Sequence, residues 1–174
     1  MKKQTNITLS DKLRRVEISL GLADLFMKEI NGKDVIIDSS VSSPRHVMIA
    51  NLDGDTLHIT LEDPTYGILD IGTHGRIEVG FPREVEVREF SLSTAKVKSH
   101  LELSHHFLDH LNVSSAGGEV KIELGGAKRI EISGTNKKGS IRLQKINPDS
   151  RVKISGVGIE IQISIPKGTS VRTT

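Results

Sequence analysis

Residues 129–143 read RIEISGTNKKGSIRL, and residues 151–161 read RVKISGVGIEI. Both stretches alternate β-branched with charged residues, turn at a Ser-Gly pair, and alternate again: Ile130 and Ile132 lead to Ile141 and Leu143, Val152 and Ile154 lead to Ile159 and Ile161. Period-two alternation puts each apolar set on one face of a strand. A unit this short cannot bury that face alone and must pass it to the next unit. Working outward, such pairs return about every 20 residues in two columns. One holds Ile77 and Val79, Val97, Val120 and Ile122, Ile141 and Leu143, then Ile159, Ile161 and Ile163. The other holds Val85 and Val87, Leu111 and Val113, Ile130 and Ile132, Val152 and Ile154, and Val171. Two strands per repeat predict an all-β chain whose residues 68–174 form a short β-solenoid of parallel, β-helix-like stacked rungs. It is roughly four to five rungs tall at about 4.8 Å each. Ile122, Ile132, Ile141, Ile154 and Ile161 are predicted to point inward. Gly80-Phe81-Pro82, Gly117-Gly118, Gly125-Gly126, Asn136 to Gly139, Asn147-Pro148-Asp149 and Gly156-Val157-Gly158 have the chemistry of corners. The spacing stretches to 26 residues between Val85 and Leu111, which predicts an insertion projecting near Ser99 to Leu111.

Residues 1–67 read as a hairpin-rich cap continuous with the repeats, so that the whole is one structural domain. Val16, Ile18, Leu20 and Leu22 alternate as a strand does, whereas Leu22, Leu25, Phe26 and Ile30 also fit helical spacing. The hairpin dipeptide Asn31-Gly32, with Val35-Ile36-Ile37 as a return strand, favours strands. A second hairpin runs from His46 to Ala50, turns at Asp53-Gly54 and returns from Thr56 to Leu61. Asp63-Pro64-Thr65-Tyr66-Gly67 ends the cap, since Pro64 breaks a ladder and Gly67 permits a positive φ.

Composition narrows the function classes. Aromatic residues make up 3% of the chain, so the core is aliphatic and no ring-walled ligand pocket is expected. A net charge of +2, from 24 basic and 22 acidic side chains interspersed along the chain, argues against nucleic-acid binding. The chain has no cysteine, which excludes a disulfide framework, Cys-ligated zinc and a thiol nucleophile. Met1-Lys2-Lys3 is followed by polar residues, and no run approaches the roughly 18 apolar residues of a membrane span. As written the chain reads as cytoplasmic. It would be extracytoplasmic if an N-terminal signal or anchor had been trimmed.

The units RIEISGT (129–135) with GSIRL (139–143), and RVKISGV (151–157) with GIEI (158–161), resemble the bacterial putative-adhesin, or toastrack, β-solenoids. Residues 163–171, ISIPKGTSV, look like that family's terminal strand pair. The resemblance spans roughly residues 16–174 and is most specific from 115 onward. It implies a coiled stack of sheets, frequent extracytoplasmic placement, and roles in adhesion, envelope stress or signalling scaffolds. It implies no catalytic residues and no cofactor.

The sharpest chemical cluster is SHLELSHHFLDH (99–110). His105 or His106 with His110, joined by His100 or Asp109, has the ligand types of a zinc site, and His106 and His110 share a face on a helix or a strand. Without the glutamate of the metalloprotease motif, the reading preferred is solvent-facing histidines and no physiological metal. Glu84, Glu86 and Glu89, and the stacking candidates Glu119, Glu123, Glu131 and Glu160, raise the alternative of a carbohydrate-active enzyme, whose chemistry needs paired carboxylates at a fixed distance. Lys137, Lys138, Arg142, Lys145, Arg151 and Lys153 read as a solubilising face. The preferred function is a non-catalytic binding or scaffold module that presents polar sheet faces to a protein or envelope polymer. The last strands, from Ile159 to Ile165 and Ser170 to Thr174, have nothing to cover them except where Pro166 intervenes, so a homodimer or higher assembly is expected.

Overall fold

In a computed structural model of the chain, the described residues are 2–9, 12–21, 23–41, 46–62 and 75–167. Wherever the alternation is clean, these residues are extended. The strands are β1 (Lys2–Thr8), β2 (Arg15–Leu20), β3 (Ala23–Ile30), β4 (Asp34–Ser40), β5 (Val47–Asp53), β6 (Thr56–Glu62), β7 (Gly75–Pro82), β8 (Glu89–Ala95), β9 (Lys98–Ala116), β10 (Glu119–Leu143) and β11 (Arg151–Ser164). No helix occurs among the described residues, and all eleven strands belong to one hydrogen-bonded sheet.

The last three strands are long because each turns a corner and changes neighbours. Residues 98–103 of β9 pair in parallel with 119–124 of β10, whereas 110–116 pair with β8 on one side and with 129–135 on the other. The segments therefore fall into two parallel stacks. The first contains β7, β3, 98–103, 119–124, 138–143 and 159–164. Its two β10 segments are tied by Lys138 N–H to the Gly118 carbonyl at 3.2 Å and Gln144 N–H to the Leu124 carbonyl at 3.0 Å. The second contains β6, β2, β8, 110–116, 129–135 and 151–157. Phe90 lies beside Leu111, Leu111 beside Ile130, and Ile130 beside Val152, so chain separations of 19 to 22 residues underlie the register. Antiparallel strands flank one end: β4 and then β1 on the β7 side, and β5 on the β6 side.

The inward residues merge into one aliphatic core. Ile122, Ile132 and Ile141 are buried in it as predicted. Ile154 is not: it is 46% exposed, and Ile161 is only partly buried. Both lie on β11, which pairs with β10 alone among the described residues, so no further described strand covers them.

The expected second column also needs correction. Val85 and Val87 lie in the connection after β7, and their place is taken by Phe90 and Leu92 of β8. With Phe90 in position the second column is not stretched. Residues 99–111 run within the continuous strand β9, and the irregularity is a register shift: Leu103 pairs with Leu124 and Phe107 with Gly126, so the extra residues, Ser104 to His106, belong to β9. In the first stack the pass is formed by Leu101 and Leu103, not by Val97.

The second hairpin is present as β5 and β6, with Gly54 at φ 59° in its turn. The first is not a hairpin. β7 lies between β3 and β4, so residues 31–33 step over a strand. Likewise β2 lies between β6 and β8, and β3 between β7 and β9, so the N-terminal strands interleave with those that follow. The proposed boundary at 63–67, along with Leu22 and Val171, falls outside the described residues.

One side chain defies the expectation of a solvated basic face. Lys137 alternates inward with Gly139 and Ile141, is fully buried, and its Nζ has no hydrogen-bond partner among the described residues.

Corners set the tightest contact. Gly134 sits at φ 137°, and a Cβ there would fall on the Ser115 carbonyl oxygen of the pass beneath. Gly134→Ala should therefore cost about 3 kcal/mol or more through combined strain and clash. Gly21→Ala, which meets open space, should change stability by less than about 0.5 kcal/mol. Urea denaturation of both variants checks the contrast.

Candidate functional site

Alternation decides what the outer face of the first stack carries. Register then aligns those residues across strands. Gln4, Asp38, Glu78, Phe26 and His100 form one row across β1, β4, β7, β3 and β9. Ile36, Gly80, Lys28 and Glu102 form the next. Gly80 leaves a gap in that row, partly filled by Ile30, whose Cδ1 would lie 2.9 Å from a Cβ added at the glycine. The result is a groove of about 490 Å³ floored by Met27, Val79 and Gly80 and walled by Phe26, Lys28, Arg76, Glu78, His100 and Glu102. The Arg76 guanidinium lies over the Phe26 ring, 4.1 Å from its centroid, and its Nε donates to Glu78 Oε1 at 2.7 Å. A second hollow of about 510 Å³ continues past Arg76 and Asp38 to Lys2, Lys3 and Ser40. Phe26 thus presents a flat apolar surface framed by charges of both signs.

The histidines of residues 99–110 do not converge. His100 faces Glu102 at 3.4 Å on the groove wall, and His110 Nε2 lies 3.1 Å from Glu131 Oε2 in the second stack. Asp109 pairs instead with Lys128 at 2.6 Å. Only His105 and His106 meet, and what joins them is Glu29 of β3, which the sequence reading did not single out. The Glu29 carboxylate accepts from the His105 backbone N–H at 2.7 Å, His105 Nδ1 at 2.5 Å and His106 Nδ1 at 2.9 Å. Because a carboxylate only accepts, each Nδ1 carries its proton towards Glu29. His106 is buried with its ring edge-on to Phe81, centroids 5.4 Å apart, and its Nε2 has no partner among the described residues. Burial pushes the Glu29 pKa up, but the His105 N–H and the two imidazoles outweigh it and hold the carboxyl below its ordinary value. Glu29 is thus a clamp on the β9 corner. Among the described residues no three His, Asp or Glu side chains are placed to hold a metal ion.

The glutamates considered for glycoside chemistry are dispersed and mostly paired. Glu86 meets Arg88 at 3.3 Å, Glu89 meets Arg15 at 2.7 Å and Glu119 meets Lys121 at 3.6 Å. Glu123 faces Arg142 at 3.9 Å, and Glu160 faces Lys138 at 3.3 Å. Glu84 is exposed in the connection after β7. Glu131 takes a hydrogen bond from Arg129 that, with help from His110 and against a smaller effect of burial, keeps its carboxyl below the ordinary range. None of these seven lines the groove. Of the remaining basic residues, Lys145 lies over the Phe107 ring at 5.6 Å, and Arg151 and Lys153 are exposed on β11.

No family model matches the chain, and no curated protein is recognisably similar to it in sequence. Among solved structures, it shares its fold with a "putative cell adhesion protein" from Clostridium sporogenes, at a TM-score of 0.64 and 13% identity over 95% of this chain and 97% of the other. A "putative adhesin" from Parabacteroides distasonis matches 95% of this chain and 77% of its own at 12% identity, with a TM-score of 0.41. At 13% identity the likeness to the first is one of fold alone.

The half-buried Glu29 and the buried Lys137 yield measurable consequences. Glu29→Gln should lose about 2 kcal/mol at pH 7, since an amide cannot accept both imidazoles as a carboxylate does. A lowered folded pKa means that the Glu29 contribution is present above the unfolded value and is lost as pH falls below about 4.3, so wild type and variant should converge there in urea titrations. Burial pushes Lys137 down to about 8, below its unfolded value. Between those two values the unfolded chain binds the extra proton, so stability should rise with pH from about 8 to about 10.4. Lys137→Met should remove that rise and be more stable at pH 7 by about 2 kcal/mol, as read from thermal melts across the window.

Proposed function

We propose that this chain is a non-catalytic binding or scaffold module, built as a short β-solenoid, that docks a protein or cell-envelope polymer on the outer face of its first stack. The observation that carries this reading is the groove itself: Phe26 beneath Arg76, with the acids Glu78 and Glu102 facing Arg76 and His100. A sheet face of matched charges around one apolar plate suits adhesion to a polar surface. A hydrolytic site would instead need two carboxylates with different pKa values converging in a cleft. The solved structure of like fold is named for cell adhesion, which supports the same direction. No helix among the described residues is long and apolar enough to cross a membrane. An extracytoplasmic, envelope-facing setting is the one in which such a face would find its partner.

Co-sedimentation with isolated bacterial cell envelopes tests this. Wild type should pellet with the envelopes, and a Phe26→Ala/Arg76→Glu double variant with unchanged circular dichroism should pellet about tenfold less. Equal pelleting of the two would remove the groove from the interaction. Release of soluble reducing sugar ends from the envelopes would replace the binding reading with the carbohydrate-active one.

A further inference from the structure

At the C-terminal side the last pass, β11, hydrogen-bonds to β10 on one edge and has no strand partner on the other among the described residues. Its apolar residues are uncovered there: Val152 is 43% exposed, Ile154 46% and Val157 73%. The strand bends near Gly158, where Gly158 and the facing Asn136 both have positive φ and the ladder skips a pair. The bend divides β11 into two arms of opposite charge. Residues 151–157 carry Arg151 and Lys153 and no acid, whereas 159–164 carry Glu160 and no base. Inward residues are Val152 and Ile154 on one arm, in line with Ile130 and Ile132, and Ile159, Ile161 and Ile163 on the other, in line with Lys137, Gly139 and Ile141.

We propose that β11 is a self-complementary edge that pairs antiparallel with β11 of a second copy of this chain about a two-fold axis near residues 156–158. Under that symmetry each basic arm lies against the acidic arm of the other copy. Val152 and Ile154 then meet the other copy's isoleucines of the 159–163 run, inward face to inward face, because even-numbered inward residues of one arm face odd-numbered ones of the other. Lys153 lands opposite, or diagonally next to, Glu160 of the second copy. This continues the alternation already present within one chain, where Lys153 lies beside Glu131 and Glu160 pairs with Lys138 at 3.3 Å. Val157, the most exposed large apolar residue, sits beside the axis. An isologous interface of this kind closes after two copies. The other end of each stack carries antiparallel β1, β4 and β5, so the parallel ladder is not continued there.

Charge reversal tests the pairing on the full chain. Sedimentation velocity over a concentration series should show a reversible dimer for wild type. Lys153→Glu and Glu160→Lys should each weaken it about tenfold or more, because each places like charges against each other twice. Both positions are exposed, so the folded monomer should survive, as circular dichroism will report. An equimolar mixture of the two variants should recover the dimer, since Glu at 153 and 160 in one copy then faces Lys at 160 and 153 in the other. A wild type that stays monomeric at several hundred micromolar overturns the proposal, as does a dimer indifferent to both reversals. If the full chain is monomeric while a chain ending at residue 167 dimerises, residues 168–174 are the occupant of the edge, and self-pairing is excluded.

Discussion

The distance between successive passes at the corners is the constraint on which the rest of this protein depends. At Gly134 and Gly156 the carbonyl oxygen of the pass beneath occupies the space a Cβ would take: Ser115 under Gly134, and Gly134 under Gly156. Only a residue without a side chain lets the backbones approach this closely while adopting a positive φ. Once the corners stack, the straight segments are held in parallel register, and register aligns Leu111, Ile130 and Val152 in one ladder and Leu101 and Ile122 in another. The aliphatic core is a consequence of this alignment. Few aromatics are needed, because β-branched residues one pass apart already fill the space between the two stacks.

The same alignment organises the exterior. Outward residues fall into rows of charge, and neighbours in a row neutralise one another across strands, as Arg15 does with Glu89 and Lys138 with Glu160. Each exposed pair contributes little to stability. Together they leave faces that are polar, even and nearly neutral, which a partner can cover without stranding a buried charge. The departure from this pattern is local: Gly80 removes one side chain from its row, and the resulting hollow sets Phe26 and Arg76 apart from the charge ladders around them.

The histidine-rich segment shows how a motif can be legible and its role hidden. Four histidines within residues 99–110 have the composition of a metal site, yet the strand turns a corner through them. The turn sends His100 and His110 to different stacks and leaves His105 and His106 at the bend. There they meet a carboxylate from β3, 76 residues earlier. A half-buried acid held by one backbone N–H and two imidazoles ties the bend to its neighbour. Nothing in the local spacing distinguishes that clamp from a ligand set.

The sequence by itself determined the all-β class, the inward positions of Val120, Ile122, Ile130, Ile132, Ile141 and Leu143, and the second hairpin. All of these are local: side-chain period and turn chemistry act within a few residues. The tertiary structure alone decided the order of strands. That β3 inserts between β7 and β9, that β2 inserts between β6 and β8, and that Phe90 takes the place given to Val85 depend on which edges remain free to pair after the chain has doubled back. It also decided that Lys137, read as part of a solubilising face, is buried, and that Ile154, assigned inward, is half-exposed. Alternation fixes the face on which a side chain lies, but whether that face is covered depends on a neighbouring pass contributed from elsewhere in the chain.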